Sequence, residues 1–202
     1  MKIALLIEGQ TERVFLPHLR RFLEPRLPRK MPRLDPVPYD GRIPTGERLK
    51  REVERLLRSG KPPADAVIAL TDVYTGTNDF TDAQDAKSKM RIWVGANNSF
   101  YPHAAQYEFE AWLLPFWVTI QRLAGHNMGP PSGSPEAINH TRPPSERIRE
   151  IFKAGNRRQF YVKPRDAERI LRENNLLDSA AACPELRSFL NTILRLCGGQ
   201  DV

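Results

Sequence analysis

Two apolar runs stand out in the first half of the chain, and each leads to an acidic residue. The first extends from Ile3 to Ile7 and is followed by Glu8 and Gly9, and the second lies within residues 65–72 and ends at Asp72. Apolar runs without polar alternation predict strands buried on both faces, as parallel strands of α/β sheets are. Open α/β sheets bind ligands at the carboxyl edge of their strands, so we expect both acids at a binding edge.

Apolar positions elsewhere recur at the 3.6-residue spacing that is typical of helices. Stretches rich in proline and other turn residues separate these segments. The predicted helices extend from Thr11, as N-cap, to about Glu24, from Thr45 or Gly46 to Ser59, over 81–91 and 107–117, from Ser145, from Pro164 or Arg165 to Leu171, and from Pro184.

The remaining segments of the first half are short. Prolines between residues 25 and 38 predict an extended loop over 25–36, with a short edge strand over 37–41, where proline is tolerated. Residues 97–102 are expected to form a loop and 103–106 a short strand. Ile92–Val94 either begins an edge strand or closes the preceding helix, since periodicity does not distinguish the two.

The alternation of strand and helix predicts an α/β fold with a mainly parallel central sheet flanked by helices and right-handed crossovers. We expect an α/β core over 1–124, a Gly/Pro-rich linker or lid over 125–144, and a helical C-terminal extension over 145–202 packed on the core. No apolar run approaches the roughly 20 residues that span a bilayer. Two cysteines without a C-x-x-C motif, and no signal peptide, predict a cytoplasmic protein.

The chain is basic, with 31 Lys and Arg against 24 Asp and Glu, a net charge of +7 and a pI near 9.7. Such an excess favours a polyanionic partner, and nucleic acid is the obvious candidate. The candidate residues for binding the phosphate backbone are Arg20, Arg21, Arg157 and Arg158, although the basic residues are spread along the chain without one dense run.

Carboxylates at the ends of two buried strands suit a hard metal ion. Mg²⁺ takes carboxylate oxygens and retains waters, so Glu8 and Asp72 would suffice to hold one. Glu108 and Glu110 also interrupt an aromatic segment. In a strand both would face one side, whereas in the preferred helix they point about 200° apart, so one of them would face the site. Exposed glutamates in a first helical turn remain the alternative.

Two further residues are weaker candidates. Lys163 would neutralise charge that develops on a phosphate, or would be an ordinary solvated lysine. His103 would orient a water or a ligand. The absence of H-E-x-x-H, G-x-S-x-G, Walker A and G-x-G-x-x-G motifs leaves zinc peptidases, serine hydrolases, P-loop NTPases and dinucleotide-binding proteins without support.

The segment Glu8-Gly-Gln-Thr-Glu12, followed by a hydrophobic helix and a strand ending Leu70-Thr-Asp72, resembles a Toprim domain. This is the metal-binding nucleotidyl-transfer and hydrolase module of primases, topoisomerases and OLD-type nucleases. Over nearly its full length the chain more closely resembles a family of small uncharacterised bacterial proteins (domain of unknown function 4276), often found beside AAA or OLD-type ATPases. The blocks that carry this resemblance are Gln106–Leu113, Pro144–Ile148 and Tyr161–Lys163.

The resemblance implies a role for each acid. Glu8 corresponds to the Toprim glutamate, a metal ligand or general acid/base, and Asp72 to the first aspartate of an Asp-x-Asp motif. The second aspartate is replaced by Tyr74, which cannot supply a hard carboxylate. The residues that would substitute for it are Asp79 or Asp82, or else Glu108 or Glu110.

The expected function is therefore a Mg²⁺- or Mn²⁺-dependent nuclease or phosphodiesterase that acts on nucleic acid, with DNA favoured over RNA. The resemblance implies an effector in a bacterial defence or DNA-processing system with an AAA or OLD-type ATPase partner. The main alternative, which Tyr74 favours, is a non-catalytic binding or regulatory subunit with the same fold. A small-molecule phosphatase is a third alternative, and a homodimer stays open.

Overall fold

A computed structural model describes residues 1–39, 41–74, 79–137, 142–155 and 160–202 of the protein. Four strands form one sheet in the order β2-β1-β3-β4, and all neighbouring strands run parallel. The predicted parallel sheet is confirmed. The strands are β1 (Lys2–Ile7), β2 (Arg33–Pro38), β3 (Ala66–Asp72) and β4 (Phe100–Ala105).

Helices cover both faces of the sheet. The α-helices are α1 (Gln10–Leu23), α2 (Gly46–Arg58), α3 (Ala83–Val94), α4 (Trp117–Ala124), α5 (Pro144–Ala154), α6 (Lys163–Glu173), α7 (Leu176–Ala182) and α8 (Pro184–Leu196). Three short 3₁₀ helices span Glu24–Arg26, Phe109–Phe116 and Pro135–Ala137.

Side chains that alternate along β1 enter two separate apolar cores, as the two-residue repeat of a strand requires. Ala4 and Leu6 pack with α2 and α3 on one face. Ile3, Leu5 and Ile7 pack on the other face with α1 and with the helices that follow β4. Burial on both faces explains why β1 is an uninterrupted apolar run.

The two edge strands differ in extent from the predicted ones. Strand β2 begins at Arg33, four residues earlier than expected, because its residues pair with β1 from Lys2 onward. Strand β4 begins at Phe100, so the loop expected over 97–102 is wrong in its second half. Phe100 pairs with Val67 of β3, and strand pairing of this kind depends on tertiary contact that local sequence does not report.

Several helix boundaries also differ from the expected ones. Gly9 rather than Thr11 is the N-cap of α1, and Pro143 rather than Ser145 is the N-cap of α5. Residues Ile92–Val94 form the end of α3, and Gly95 is its C-cap. Helix α7, with seven residues, was not predicted because it is too short for a clear 3.6-residue pattern.

The helices after residue 144 share the core of β1 and α1. Phe152 of α5, Ile170 of α6 and Phe189 of α8 are buried in the same cluster as Ile3 and Leu5. The division of the chain at residues 124 and 144 stays a prediction. In the described part of the chain, no helix has the length and apolarity needed to cross a membrane. Both cysteines, Cys183 and Cys197, are free.

Candidate active site

The crevice at the carboxyl ends of β1 and β3 is the point at which the chain leaves the sheet in opposite directions. After β1 the chain enters α1 on one face, and after β3 it enters α3 on the other face. Diverging connections of this kind open a crevice in which α/β proteins bind ligands. Glu8 follows β1 and Asp72 ends β3, so both border this crevice.

Glu8 is buried and joins the two central strands. The Thr71 hydroxyl donates a hydrogen bond to Oε1 of Glu8. Burial raises the pKa of Glu8 to about 7, which the bond from Thr71 partly opposes and the charge of Glu12 reinforces. A carboxyl with a pKa near neutrality is a common feature of functional sites, since it exchanges a proton or binds a cation readily.

Asp72 and Glu12 extend the acidic group. Burial, followed by the charges of Glu8 and Glu12, holds the pKa of Asp72 well above its usual range, although part of the Asp72 side chain remains exposed. Burial also raises the pKa of Glu12, whose Oε2 accepts a hydrogen bond of 2.9 Å from the Gly9 N–H. Sequence reasoning did not include Glu12 among the site residues, although it lies in the first turn of α1, four residues after Glu8.

A lysine connects the second pair of carboxylates. Lys163 Nζ donates to Oε2 of Glu108 at 3.0 Å and to Oε2 of Glu110 at 3.1 Å. Burial alone would lower the pKa of Lys163, but the charges of Glu110 and Glu108 outweigh it and raise that pKa. Burial also raises the pKa of Glu110 to about 7, against the opposing charge of Lys163.

Both glutamates therefore face Lys163, whereas the predicted helix would point them about 200° apart. The reason is local. The helix predicted over 107–117 is a 3₁₀ helix that begins at Phe109, so Glu108 lies in extended backbone before it. The 100° rotation per residue of an α-helix does not apply across that boundary.

Two residues from later in the chain, one in the first turn of α5 and one just before α6, hold these carboxylates in position. The Ser145 N–H at the start of α5 donates to Oε1 of Glu108, and the Tyr161 hydroxyl donates to Oε1 of Glu110 at 3.2 Å. Burial and the charge of Glu110 raise the pKa of Tyr161, so its hydroxyl stays protonated as a donor. The helical C-terminal region thus contributes a lysine, a tyrosine and a helix N-terminus to the acidic crevice.

The donor set suits a hard divalent cation, although no group of three or more His, Cys, Asp or Glu side chains is arranged to hold a metal ion within the described residues. Mg²⁺ commonly uses one or two carboxylates and completes its shell with waters. Glu8 and Asp72 would supply such a pair, and burial, followed by the charges of neighbouring acids, raises the pKa of both. Between Glu108 and Glu110 that role is taken by Lys163.

Three other candidates form their contacts with residues outside this group. Asp79 forms an ion pair with Arg42, and Asp82 caps α3 by accepting the Asp85 N–H at 2.8 Å. His103 is buried in β4, where its Nε2 lies 3.0 Å from the Thr192 hydroxyl of α8. Burial lowers the pKa of His103 to about 3, so it is neutral.

Four arginines were predicted to bind nucleic acid. The two that the structure describes, Arg20 and Arg21, lie at the opposite end of the sheet from Glu8. Arg20 donates to the Leu34 carbonyl at 3.0 Å, near the amino ends of the strands and roughly 16 Å along β1 from Glu8. Arg21 donates to the Leu171 carbonyl at 3.1 Å, at the end of α6. Arg157 and Arg158 lie outside the described residues.

A different pair of arginines lies closer to Glu8, and sequence reasoning did not single it out. Arg42 and Arg48 line a cleft of about 510 Å³ between the end of β2 and the start of α2. The cleft includes Ile43, whose backbone forms a hydrogen bond with Glu8 that lowers the pKa of that carboxyl. Only the sheet topology brings this loop beside the end of β1.

A parallel sheet flanked by helices, with an acidic crevice at its switch point, is the α/β fold that the resemblance to Toprim domains implied. The chain belongs to the family described as Domain of unknown function (DUF4276), which it matches over residues 7–194.

The fold is shared with a solved structure at low sequence identity. The C-terminal region of the Burkholderia pseudomallei OLD protein is 12% identical with a TM-score of 0.53, and the match covers 97% of this chain and 98% of that one. The C-terminal region of the Xanthomonas campestris pv. campestris OLD protein is 11% identical with a TM-score of 0.44, over 94% and 96%. No curated protein matches the chain.

Proposed function

We propose that this protein is a Mg²⁺- or Mn²⁺-dependent hydrolase that cleaves phosphodiester bonds of nucleic acid at the crevice between β1 and β3. The observation that carries the proposal is the convergence of five carboxylates and one lysine on that crevice. The residues are Glu8, Glu12, Asp72, Glu108, Glu110 and Lys163.

Glu8 and Asp72 are the proposed metal ligands, with Glu12 beside them. A bound divalent ion would polarise the phosphodiester and lower the pKa of an attacking water. Glu8, with a pKa near 7 in the absence of metal, is suited to exchange a proton with that water if it is not fully engaged as a ligand.

Lys163 is the proposed contact for the negative charge that develops on the phosphate. Its Nζ is held by two carboxylates, and its side chain remains 37% exposed, so it can reach a substrate without leaving Glu108 and Glu110. A fixed cation beside the reacting phosphate stabilises the transition state more than a mobile one does.

The cleft beside Arg42 and Arg48 is the proposed path of the phosphate backbone towards Glu8. Arg48 is exposed in the first turn of α2, and the net charge of +7 supports binding to a polyanion. Arg20, Arg21, Arg157 and Arg158 remain proposed contacts that lie outside this cleft or outside the described residues. The resemblance of the sequence to proteins encoded beside AAA or OLD-type ATPases supports such an ATPase as partner.

Nicking of supercoiled plasmid DNA tests the hydrolase. We expect cleavage with Mn²⁺, none with EDTA, and none from Glu8→Gln. Glu47→Gln is the matched control, because Glu47 is an exposed glutamate of α2 with a side chain 76% exposed. Cleavage that survives both EDTA and Glu8→Gln would contradict the proposal.

A second candidate is a non-catalytic subunit of an ATPase complex. Tyr74 stands where the resemblance implies a second aspartate, which favours this alternative. Calorimetric titration with Mn²⁺ and a pull-down with the ATPase distinguish the two. Firm binding to the ATPase without uptake of metal at millimolar concentration would support the subunit over the hydrolase.

A further inference from the structure

Tyr74 presents an aromatic ring at the acidic crevice. Its ring lies parallel to that of Tyr107, with centroids 5.0 Å apart and an interplanar angle of 9°. Tyr107 is buried, whereas Tyr74 is 52% exposed. Tyr107 thus covers one face of the Tyr74 ring, while about half of the Tyr74 residue is open to solvent.

The backbone fixes this aromatic pair at the end of the sheet. The Val73 N–H donates to the Ala105 carbonyl at 3.1 Å, and the Tyr74 N–H donates to the Tyr107 carbonyl at 2.7 Å. Pairing between β3 and β4 thus continues past the last strand residues. Tyr107 has a φ of 71°, a left-handed conformation that is uncommon for a residue other than glycine. The ring of Tyr74 is consequently held by both its backbone and its neighbour.

The position of the pair relates it to the acidic group. Tyr74 follows Asp72 by two residues, at most about 7 Å along the chain. Tyr107 directly precedes Glu108, which contacts Lys163. A nucleotide with its phosphate at the carboxylates would therefore have its base within reach of Tyr74.

We propose that Tyr74 is a stacking platform for an unpaired nucleobase of the strand bound at the acidic crevice. This inference rests on the proposed function and names its substrate more closely as single-stranded or locally opened nucleic acid. A base inside a duplex has both faces covered by its neighbours, whereas an unpaired base offers a free face to an aromatic side chain. Tyr74, which stands where the resemblance implies a second aspartate, would thus contact a base instead of a metal ion.

Binding to single-stranded oligonucleotides that contain 2-aminopurine tests the proposal, because the fluorescence of that base is quenched on stacking. All measurements use the full chain with EDTA and the Glu8→Gln background, so that nothing is cleaved. Tyr74→Phe keeps the ring and Tyr74→Leu keeps apolar bulk without it. Val118→Ala is the control, since Val118 is 79% exposed on α4.

We expect Tyr74→Leu to weaken single-strand binding about tenfold, which is about 1.4 kcal/mol, within the range for one stacked base. Tyr74→Leu should also lose the quenching of 2-aminopurine fluorescence. Tyr74→Phe and Val118→Ala should keep the native affinity and the native quenching. Deoxy- and ribo-oligonucleotides form separate arms that identify the sugar accepted. A fully paired duplex should bind equally to all variants.

Equal single-strand binding by all variants, or no binding by any of them, would overturn the platform. Failure of the hydrolase is distinguishable from this outcome. Suppose that the native protein cuts nothing with Mn²⁺, while Tyr74→Leu alone loses binding and quenching. That result would support the stacking platform and contradict the proposed hydrolase activity.

Discussion

The Thr71 hydroxyl donates a hydrogen bond to the Glu8 carboxylate, which joins the carboxyl ends of the two central strands. The bond fixes a buried acid whose pKa is raised to about 7 by burial. A buried carboxylate without a cation costs stability when it ionises. The acidic crevice therefore lowers the free energy of unfolding of the metal-free protein at neutral pH.

Glu8→Gln should stabilise the metal-free protein at about pH 8 while it abolishes cleavage. The neutral amide still accepts the Thr71 hydrogen bond and carries no buried charge. A raised pKa of about 7 against an ordinary 4.5 corresponds to about 3 kcal/mol. Thermal unfolding in EDTA should show a Tm several degrees above that of the native protein, with Glu47→Gln unchanged. A lower Tm for Glu8→Gln would contradict this account.

The stability of the native protein in EDTA should decrease as the pH rises from about 5 to about 8. Glu8 and Glu110 have folded pKa values of about 7, above the ordinary 4.5, so protons bind the folded state more tightly than the unfolded one. Their stabilising contribution is complete below about pH 4.5 and is lost as the pH passes 7. Denaturant unfolding across this range measures the slope, which Glu8→Gln should reduce.

Mn²⁺ should raise the Tm of the native protein at about pH 8 and have a smaller effect at about pH 5. At the lower pH, protons occupy the carboxylates that would bind the ion. Differential scanning fluorimetry with and without EDTA measures the shift. Glu8→Gln should lose most of it. An equal shift in Glu8→Gln would mean that the ion binds elsewhere.

Lys163→Met should destabilise the protein by about 3 kcal/mol at pH 8, because it leaves Glu108 and Glu110 buried and facing each other without a cation. Adding Glu110→Gln should recover part of the loss, as a double-mutant cycle would show. Lys50→Met is the matched control, since its exposed pair with Glu47 spans 4.0 Å. That change should cost less than about 1 kcal/mol.

Gly155→Ala should destabilise the packing of α5 on α4 by about 2 kcal/mol. A Cβ at Gly155 would lie 1.9 Å from the Ala124 carbonyl oxygen, so backbone has to move. Gly129→Ala is the control, because a Cβ there meets nothing within 4 Å. Chemical denaturation of both variants measures the difference, and equal stabilities would mean that the two helix ends are not in contact.

Much of the architecture follows from the sequence alone, for physical reasons. Uninterrupted apolar runs such as Ile3–Ile7 require burial on both faces, which a parallel sheet between helices provides. The apolar positions Leu49, Val53 and Leu56 predicted α2, and of the two starts left open Thr45 is the N-cap and Gly46 the first helical residue. Glu8 and Asp72 were expected at one sheet edge, and they lie there because parallel strands end on the same side.

The other features were decided by the tertiary structure, because they depend on contacts between residues that are distant in sequence. Strand β4 starts at Phe100 because β3 supplies its partners, and Glu108 and Glu110 converge because Lys163 and Tyr161, more than 50 residues later, hold them. No local sequence pattern predicts contacts between residues so far apart in the chain. Likewise, only the sheet order brings the Arg42 loop to the crevice, since topology determines which loops share an edge.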